Sequence, residues 1–305
     1  MVHKARHDYI ELSYVYGGAV ATVVLLSLIA MPMDMSRFGF VVPPPAHEKK
    51  SLYATSAFDG IEVRAKAYIV YDLVAGEEIA SKNADEMLPL ASVTKVMTAV
   101  TALAHNDSQT PITITQTSIE DGYDLGLKKN QKWNLDELLK YTLVFSSNDG
   151  AHAIADGLGG RESFVSQMNT DSTALGLQLI FTDPAGLDVG NMLGGSGTAR
   201  DVAKLFGIAR TRFPAIFEAT TKTRLNVLAG KERITGIPNT NQEVNTLFGA
   251  EASKTGYTDI AGGNLGVIVD IALGHPVVIV VLGSTREERF TDMNTLYEAL
   301  LQSLP

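Results

Sequence analysis

The sequence predicts an α+β domain in which an antiparallel sheet is flanked by helices and interrupted by an inserted helical lobe, the whole preceded by one N-terminal transmembrane helix. Three observations carry this expectation. Segments rich in β-branched and aromatic residues stand near both ends of the chain. The middle reads as helical segments separated by Gly, Asn, Asp and Pro turns. Leu12 to Met33 runs without a single charge. At 305 residues and 45% hydrophobic, the chain can bury one large domain or two modest ones, since about 100–200 residues per domain is usual.

In chain order, residues 1–11 form a short tail containing Lys4 and Arg6. Residues 12–33 have the length a helix needs to cross a bilayer, about 20 residues, and their apolar circumference is unbroken. A clean small-x-small cleavage site is missing, which favours a retained anchor over a removed signal peptide. Basic residues ahead of the span put the tail in the cytoplasm and everything after it outside. Residues 34–55 include "DMSRFGFVVPPPAHEKKS", whose proline triplet and charge run suit an extended linker. The folded domain is expected over 56–305. It opens with a hairpin, "AKAYIVYDL" turning through "VAGEE" into "EIASKN". "LPLASVTKVMTAVTALAHND" follows, with Val96, Met97, Val100 and Leu103 at helical spacing, so that Ser92 stands at a helix start. The lobe, about 115–225, takes in "LDELLKYTLVF", "DGAHAIADGL", "RESFVSQMNTDSTAL" and "TARDVAKLFGIA". Strands return with "EASKTGY", and "NLGVIVDIAL" and "HPVVIVVLGS" flank a tight turn as an antiparallel pair. An amphipathic helix from Arg289 onward covers the sheet.

The net charge of -9 argues against a nucleic-acid partner, which requires a basic face. Zero cysteines exclude disulfides and thiol catalysis. His105, His152 and His275 are scattered singly and read as surface or turn residues, so no metal and no cofactor is expected. "GAEASKTG" has Ser253 where a phosphate-binding loop needs glycine.

The chemistry gathers around "ASVTKVM". Ser92 and Lys95 are three residues apart, hence on one helix face, and a serine is a weak nucleophile until a neighbouring base takes its proton. Lysine serves as that base only when neutral, which burial and a second cation favour. An isolated pair of this kind is usually helix surface. Two further features change its weight. "SSNDG" supplies Ser146, a hydroxyl able to relay a proton, and Asn148, an amide able to hold both substrate and Lys95. "KTG" supplies Lys254 as the second cation, Thr255 as a donor to a carboxylate, and Gly256, which leaves a substrate room along the strand edge.

SxxK, SxN and KTG in this order are the motif set of penicillin-binding proteins and class A β-lactamases. With "FVSQMN", "FTDPAGL", "TARDVAKL", "NTN" (239–241) and "SKTGYTDIAG", residues 60–300 resemble the D-alanyl-D-alanine carboxypeptidase family of low-molecular-mass penicillin-binding proteins. The resemblance implies a β-lactamase/transpeptidase-like fold and removal of the terminal D-alanine from peptidoglycan stem peptides through an acyl-enzyme on Ser92. Under it Lys95 is the base, Ser146 and Asn148 are the second element, and Lys254 and Thr255 bind the substrate carboxylate. Backbone amides of Ser92 and Tyr257 form the oxyanion hole. β-Lactams are implied as covalent inhibitors, and the outer side of the bacterial cell membrane as the location. Leu90, Gly150, Asp183 and Ala252 depart from the family's usual Pro, Ala, Asn and Gly. No glutamate stands in "LQLIFTDPAGLD" to deacylate as in a β-lactamase, and Asp183 is a poor substitute because Asp before Pro starts turns. An endopeptidase cutting peptide cross-links carries the same motifs, and a non-catalytic wall-peptide binder is the other alternative.

Overall fold

The structure is a computed structural model that describes residues 52–119 and 126–305. The span expected at 12–33 and most of the linker lie outside them. No helix among the described residues is long and apolar enough to cross a membrane.

A first hairpin pairs β1 (Ala67–Asp72) with β2 (Glu77–Lys82). After the short β3 (Leu88–Pro89) comes α1 (Lys95–His105), then β4 (Pro111–Thr113) and β5 (Lys132–Asn134). The helices α2 (Leu135–Phe145), α3 (Asn148–Gly157) and α4 (Arg161–Ala174) follow. β6 (Ile180–Phe181) and β7 (Gly195–Gly197) lead to α5 (Ala199–Arg212) and α6 (Pro214–Glu218). The hairpin β8 (Arg224–Ala229) and β9 (Glu232–Pro238) precedes β10 (Ala250–Thr258), β11 (Gly262–Asp270), β12 (Pro276–Ser284) and α7 (Glu288–Ser303).

The main sheet runs β10-β11-β12-β1-β2, every neighbouring pair antiparallel. Side chains alternate across a strand, and β12 shows what this does with an unbroken apolar run. Val278, Val280 and Leu282 join the core beneath α1 and α5, while Val277, Ile279 and Val281 join the one beneath α7. A fully buried aliphatic side chain contributes about 1.5–3 kcal/mol, so this strand is held from both faces. α1 is buried almost all round, Lys95, Thr98 and Thr101 included. It is a central pillar and not the one-sided helix its apolar spacing suggests.

Two boundaries differ from expectation. Helix α5, which the sequence assigns to the lobe, lies on the sheet: a Cβ at Gly266 of β11 would stand 2.5 Å from the Phe206 ring. The helix contacts β1, β10, β11 and β12, together with the central α1 and the short α6 that follows it. The short strands β5, β6 and β7 inside 115–225 carry too few residues for a period-two pattern to show. Packed structure also begins by Tyr53, ahead of the boundary at 56. The Tyr53 hydroxyl donates to Asp72 Oδ2 at 2.8 Å, and the Ala54 N–H donates to the Ser303 carbonyl at 2.8 Å.

Asp72 organises this end of the sheet. Its Oδ1 accepts the amides of Val74 (2.7 Å) and Ala75 (2.8 Å), shaping the β1–β2 turn, and its Oδ2 also lies 2.8 Å from His275 Nε2. Burial works to raise the carboxyl's pKa, but the Ala75 amide, His275, Tyr53 and the Val74 amide together hold it below the ordinary range. A depressed carboxyl stabilises the fold above its unfolded pKa of about 3.9 and loses that contribution as pH falls through the folded value. Urea melts should therefore show stability falling below about pH 4, less steeply in Asp72→Asn. Tyr53→Phe, which removes the hydroxyl's bond to Asp72 and its 3.2 Å contact with His275 Nε2, should cost about 1–2 kcal/mol at neutral pH.

Candidate active site

Ser92 lies in a single 3-10 turn, Ala91–Thr94, immediately ahead of α1. Ala91 has φ +49°, a left-handed conformation that costs a residue with a Cβ about 1–3 kcal/mol and persists only where its surroundings enforce it. Glycine backbone does the enforcing. A Cβ on Gly186 would collide with the Ala91 carbonyl and one on Gly195 with the Thr94 hydroxyl, while the Leu90 N–H donates to the Gly195 carbonyl at 2.8 Å.

One helical step on, Lys95 is fully buried. Its Nζ lies 2.8 Å from Ser92 Oγ, 2.7 Å from Asn148 Oδ1 and 2.7 Å from the Ala185 carbonyl. The last two oxygens only accept. A neutral amine has two N–H bonds and a lone pair, so once both N–H bonds go to Asn148 and Ala185 the lone pair faces the Ser92 hydroxyl.

The second motif comes from the α2–α3 junction. Ser146 ends α2 in a left-handed conformation, φ +64°. Ser147 caps α3 by accepting the Gly150 N–H at 2.7 Å, so Asn148 begins that helix. Gly150 fits because a Cβ there would collide with the Thr142 hydroxyl and approach the Ser147 hydroxyl to 2.8 Å.

The third motif comes from β10. Lys254 Nζ donates to Ser146 Oγ (2.8 Å) and to the Thr255 carbonyl (2.7 Å), and Thr255 Oγ1 donates to Thr240 Oγ1 (2.6 Å). The Lys254 pKa is pushed well below the ordinary lysine range, first by burial and then by the charges of Lys95 and Arg289. The structure thus brings Ser92, Lys95, Ser146, Asn148, Lys254 and Thr255 together from three parts of the chain. Gly256 serves a different purpose from the one expected. A Cβ there would stand 2.7 Å from the Leu90 carbonyl and 3.2 Å from Val93, so the glycine admits the nucleophile's own turn. Tyr257 turns its ring outward, 39% exposed, with its hydroxyl donating to Asp259 at 3.1 Å and Arg286 over its face. Its backbone is the relevant part. β10 is an edge strand, whose outward groups fall on alternate residues. The Ser253 N–H goes to Thr220 (2.8 Å) and the Thr255 carbonyl to Lys254, so the next outward residue is Tyr257.

A family model described as D-alanyl-D-alanine carboxypeptidase matches residues 53–286. The chain belongs to this family. It is 31% identical to a D-alanyl-D-alanine endopeptidase of Pseudomonas aeruginosa, the match covering 72% of each chain. Among solved structures it resembles a D-alanyl-D-alanine carboxypeptidase from Mycobacterium tuberculosis (TM-score 0.73, 26% identity, 80% of this chain and 94% of that one). It also resembles penicillin-binding protein D2 from Listeria monocytogenes in a cefotaxime-bound form (TM-score 0.69, 27% identity, 78% and 98%).

Of the departures from the family's usual residues, Leu90 and Ala252 are buried in the core. Asp183 is fully engaged: Oδ1 accepts the amides of Ala185 (2.8 Å) and Leu187 (3.0 Å), and Oδ2 lies 2.9 Å from His152 Nε2. That leaves it badly disposed to activate water. His105 is an exposed surface residue paired with Asp171 at 3.0 Å, and His275 lies in the turn between β11 and β12 against Asp72, as expected; His152 differs, being buried against Asp183. Among the described residues no group of three or more His, Asp or Glu side chains could hold a metal.

Sequence reasoning missed two contributors. The Ala185 carbonyl is invisible to residue-type arguments. Arg289 sits in "TREERF", a mixed charge run that reads as solvated surface, yet it is buried, donates from Nη1 to the Gly256 carbonyl at 2.7 Å, and acts electrostatically on Lys254. Its pKa is brought down to about 10 by burial and by Arg286, with Glu287 opposing. Asp292, one turn further along α7, fixes this helix start by accepting the amides of Arg64 and Ala65 (2.9 Å each) and the Ser284 hydroxyl (2.6 Å).

Gly256→Ala should displace the Ser92 turn. Stopped-flow labelling with a fluorescent penicillin should show acylation slowed by about 10- to 100-fold, with a stability loss of about 1–3 kcal/mol.

Proposed function

We propose that this protein is a serine D-Ala-D-Ala carboxypeptidase acting on peptidoglycan stem peptides, with Ser92 as the acylated residue. The observation that carries the reading is the Lys95 amine, buried, 2.8 Å from Ser92 Oγ and 2.7 Å from two acceptor oxygens, Asn148 Oδ1 and the Ala185 carbonyl. Ser92 Oγ attacks the carbonyl of the penultimate D-alanine while its proton passes to Lys95. The amides of Ser92 and Tyr257 stabilise the oxyanion. As the C–N bond breaks, the proton taken up by Lys95 passes to the departing D-alanine amine along a route through Ser146, whose hydroxyl Lys254 holds. Lys95, neutral again, faces the water that attacks the acyl-enzyme, and release of the shortened peptide returns the proton to Ser92. Thr255, Thr240, Lys254 and Arg289 favour a terminal carboxylate, which supplies the negative charge this group of cations lacks. β-Lactams acylate the same serine and stay bound.

A second reading, an endopeptidase that cuts cross-links, has its own support in the named activity of the Pseudomonas aeruginosa relative. A cavity of about 430 Å3 lined by Thr240, Gln242, Glu243, Arg286 and Arg289 adjoins the carboxylate-binding side and has room for a leaving residue larger than alanine. The proposal extends to location: residues 12–33 anchor the chain in the bacterial cell membrane, and the domain faces outward.

The test is mass spectrometry of products from a stem pentapeptide and from a cross-linked dimer. The carboxypeptidase reading expects D-alanine from the pentapeptide, with Ser92→Ala reducing both turnover and fluorescent-penicillin labelling by at least about 10³-fold. Release from the dimer alone would replace it with the endopeptidase, and labelling that survives Ser92→Ala would overturn the nucleophile. For the anchor, the full chain should sediment with membranes at its uncleaved mass. A mature form beginning after residue 33 would refute it.

A further inference from the structure

The aim of the Lys95 lone pair depends on the Ala185 carbonyl, so what holds Ala185 bears on the reaction. That residue belongs to the turn 183–187, which carries no regular secondary structure. Asp183 Oδ1 accepts the Ala185 and Leu187 amides, Thr98 Oγ1 donates to the Pro184 carbonyl at 2.6 Å, and Gly186 packs on the Ala91 carbonyl. A further contact fixes Asp183 itself. His152, buried on α3 and one helical turn beyond Asn148, approaches Asp183 Oδ2 at 2.9 Å.

α3 therefore reaches Lys95 twice. Directly, Asn148 takes one of its N–H bonds. Indirectly, His152 orients Asp183, Asp183 orients Ala185, and Ala185 takes the other. Without His152 the Asp183 carboxylate is free to rotate about its Cα–Cβ bond, the amides of Ala185 and Leu187 lose a fixed acceptor, and the carbonyl swings relative to Lys95. Burial works to raise the Asp183 carboxyl's pKa, but His152 and the two amides hold it below the ordinary carboxylate range. The Asp183 carboxyl is thus held as an acceptor for the ring and the two amides and is not a carboxylic acid waiting to donate a proton.

We propose that His152 and Asp183 are positioning residues for acylation: the pair locks the 183–187 turn, so that the Ala185 carbonyl holds one N–H of Lys95 and turns the lone pair toward Ser92. The inference rests on Lys95 acting as the base for Ser92. Their effect reaches Lys95 through the 183–187 turn, whose Gly186 also packs on the Ala91 carbonyl.

The full chain in detergent is acylated with a fluorescent penicillin, and the second-order rate is compared across variants beside Ser92→Ala. If wild type is not labelled at Ser92, the proposed function fails before this inference is reached. Given labelling, His152→Phe and Asp183→Ala should each slow acylation by about 10- to 100-fold. His152→Gln keeps an N–H near the Nε2 position, and Asp183→Asn keeps the Oδ1 acceptor; each should stay within about threefold of wild type. The double variant His152→Phe/Asp183→Ala should be no slower than Asp183→Ala, because both substitutions break one path. Pentapeptide affinity, measured on the Ser92→Ala background, should be unchanged by His152→Phe. Wild-type acylation in folded His152→Phe, equal slowing in His152→Gln, or a loss that appears as weakened pentapeptide binding would each overturn the proposal. Should His152→Phe not fold, His152→Asn, whose shorter side chain cannot reach Asp183, replaces it with the same expected slowing and the same overturning results.

Discussion

A neutral primary amine offers two N–H bonds and one lone pair, and this protein disposes of both N–H bonds before the chemistry begins. Asn148 Oδ1 and the Ala185 carbonyl are acceptors with nothing to give back, so in its neutral form Lys95 can turn its basic electron pair to Ser92. Much of the architecture follows from keeping three atoms in that relation. Ser92 and Lys95 are tied by one turn of backbone, but Asn148 comes from α3 and Ala185 from an irregular turn ninety residues further along than Lys95. The sheet, the lobe and the central helix α1 must all be in register for a single nitrogen to be correctly dressed.

Holding cations together works against stability, and the protein accepts that cost locally. Lys254 and Arg289 are both buried, and among the described residues neither forms a salt bridge with a carboxylate. An unpaired buried charge is expensive, and each group answers by a lowered proton affinity. Two non-glycine residues, Ala91 and Ser146, are also held in left-handed conformations next to reacting groups. These strains are tolerable because the flanking structure is stiff: β12 is buried on both faces, and glycines at 186, 195 and 256 let backbone pack where any side chain would intrude. An anionic substrate relieves part of the electrostatic cost on binding, so that the energy released serves recognition.

The sequence made the sheet legible because its strands are long and their turns conventional: "AYIVYD", "VIVD" and "VVIVVL" announce themselves by β-branched content. The three motifs were legible because nucleophile, base and second cation must be particular residue types. What stayed hidden was of two kinds. Short strands such as Ile180–Phe181 carry no periodicity, and α5 looked like its neighbours in the lobe because an apolar face does not say whether it will meet a helix or a sheet. The second kind was contact by backbone or by a residue whose neighbours mislead. The Ala185 carbonyl has no signature, Arg289 sits among exposed charges, and Gly256 was read as room for substrate when the space belongs to Leu90 and Val93. His152 alone had left a trace, a polar ring in the run "GAHAIA" whose other residues are small or apolar.

β10 remains to be seen as a hazard. It is one of the two edge strands of the main sheet, and an unpaired edge invites any extended segment to add itself, which is the first step of aggregation. On this edge the Ser253 amide is already claimed by Thr220 and the Thr255 carbonyl by Lys254. Two of the outward backbone groups are therefore unavailable to an incoming chain, which weakens its hold by backbone bonds alone. A ligand stays only if it also brings something the cations want, because the same two internal hydrogen bonds leave this edge fewer groups with which to hold an uncharged segment.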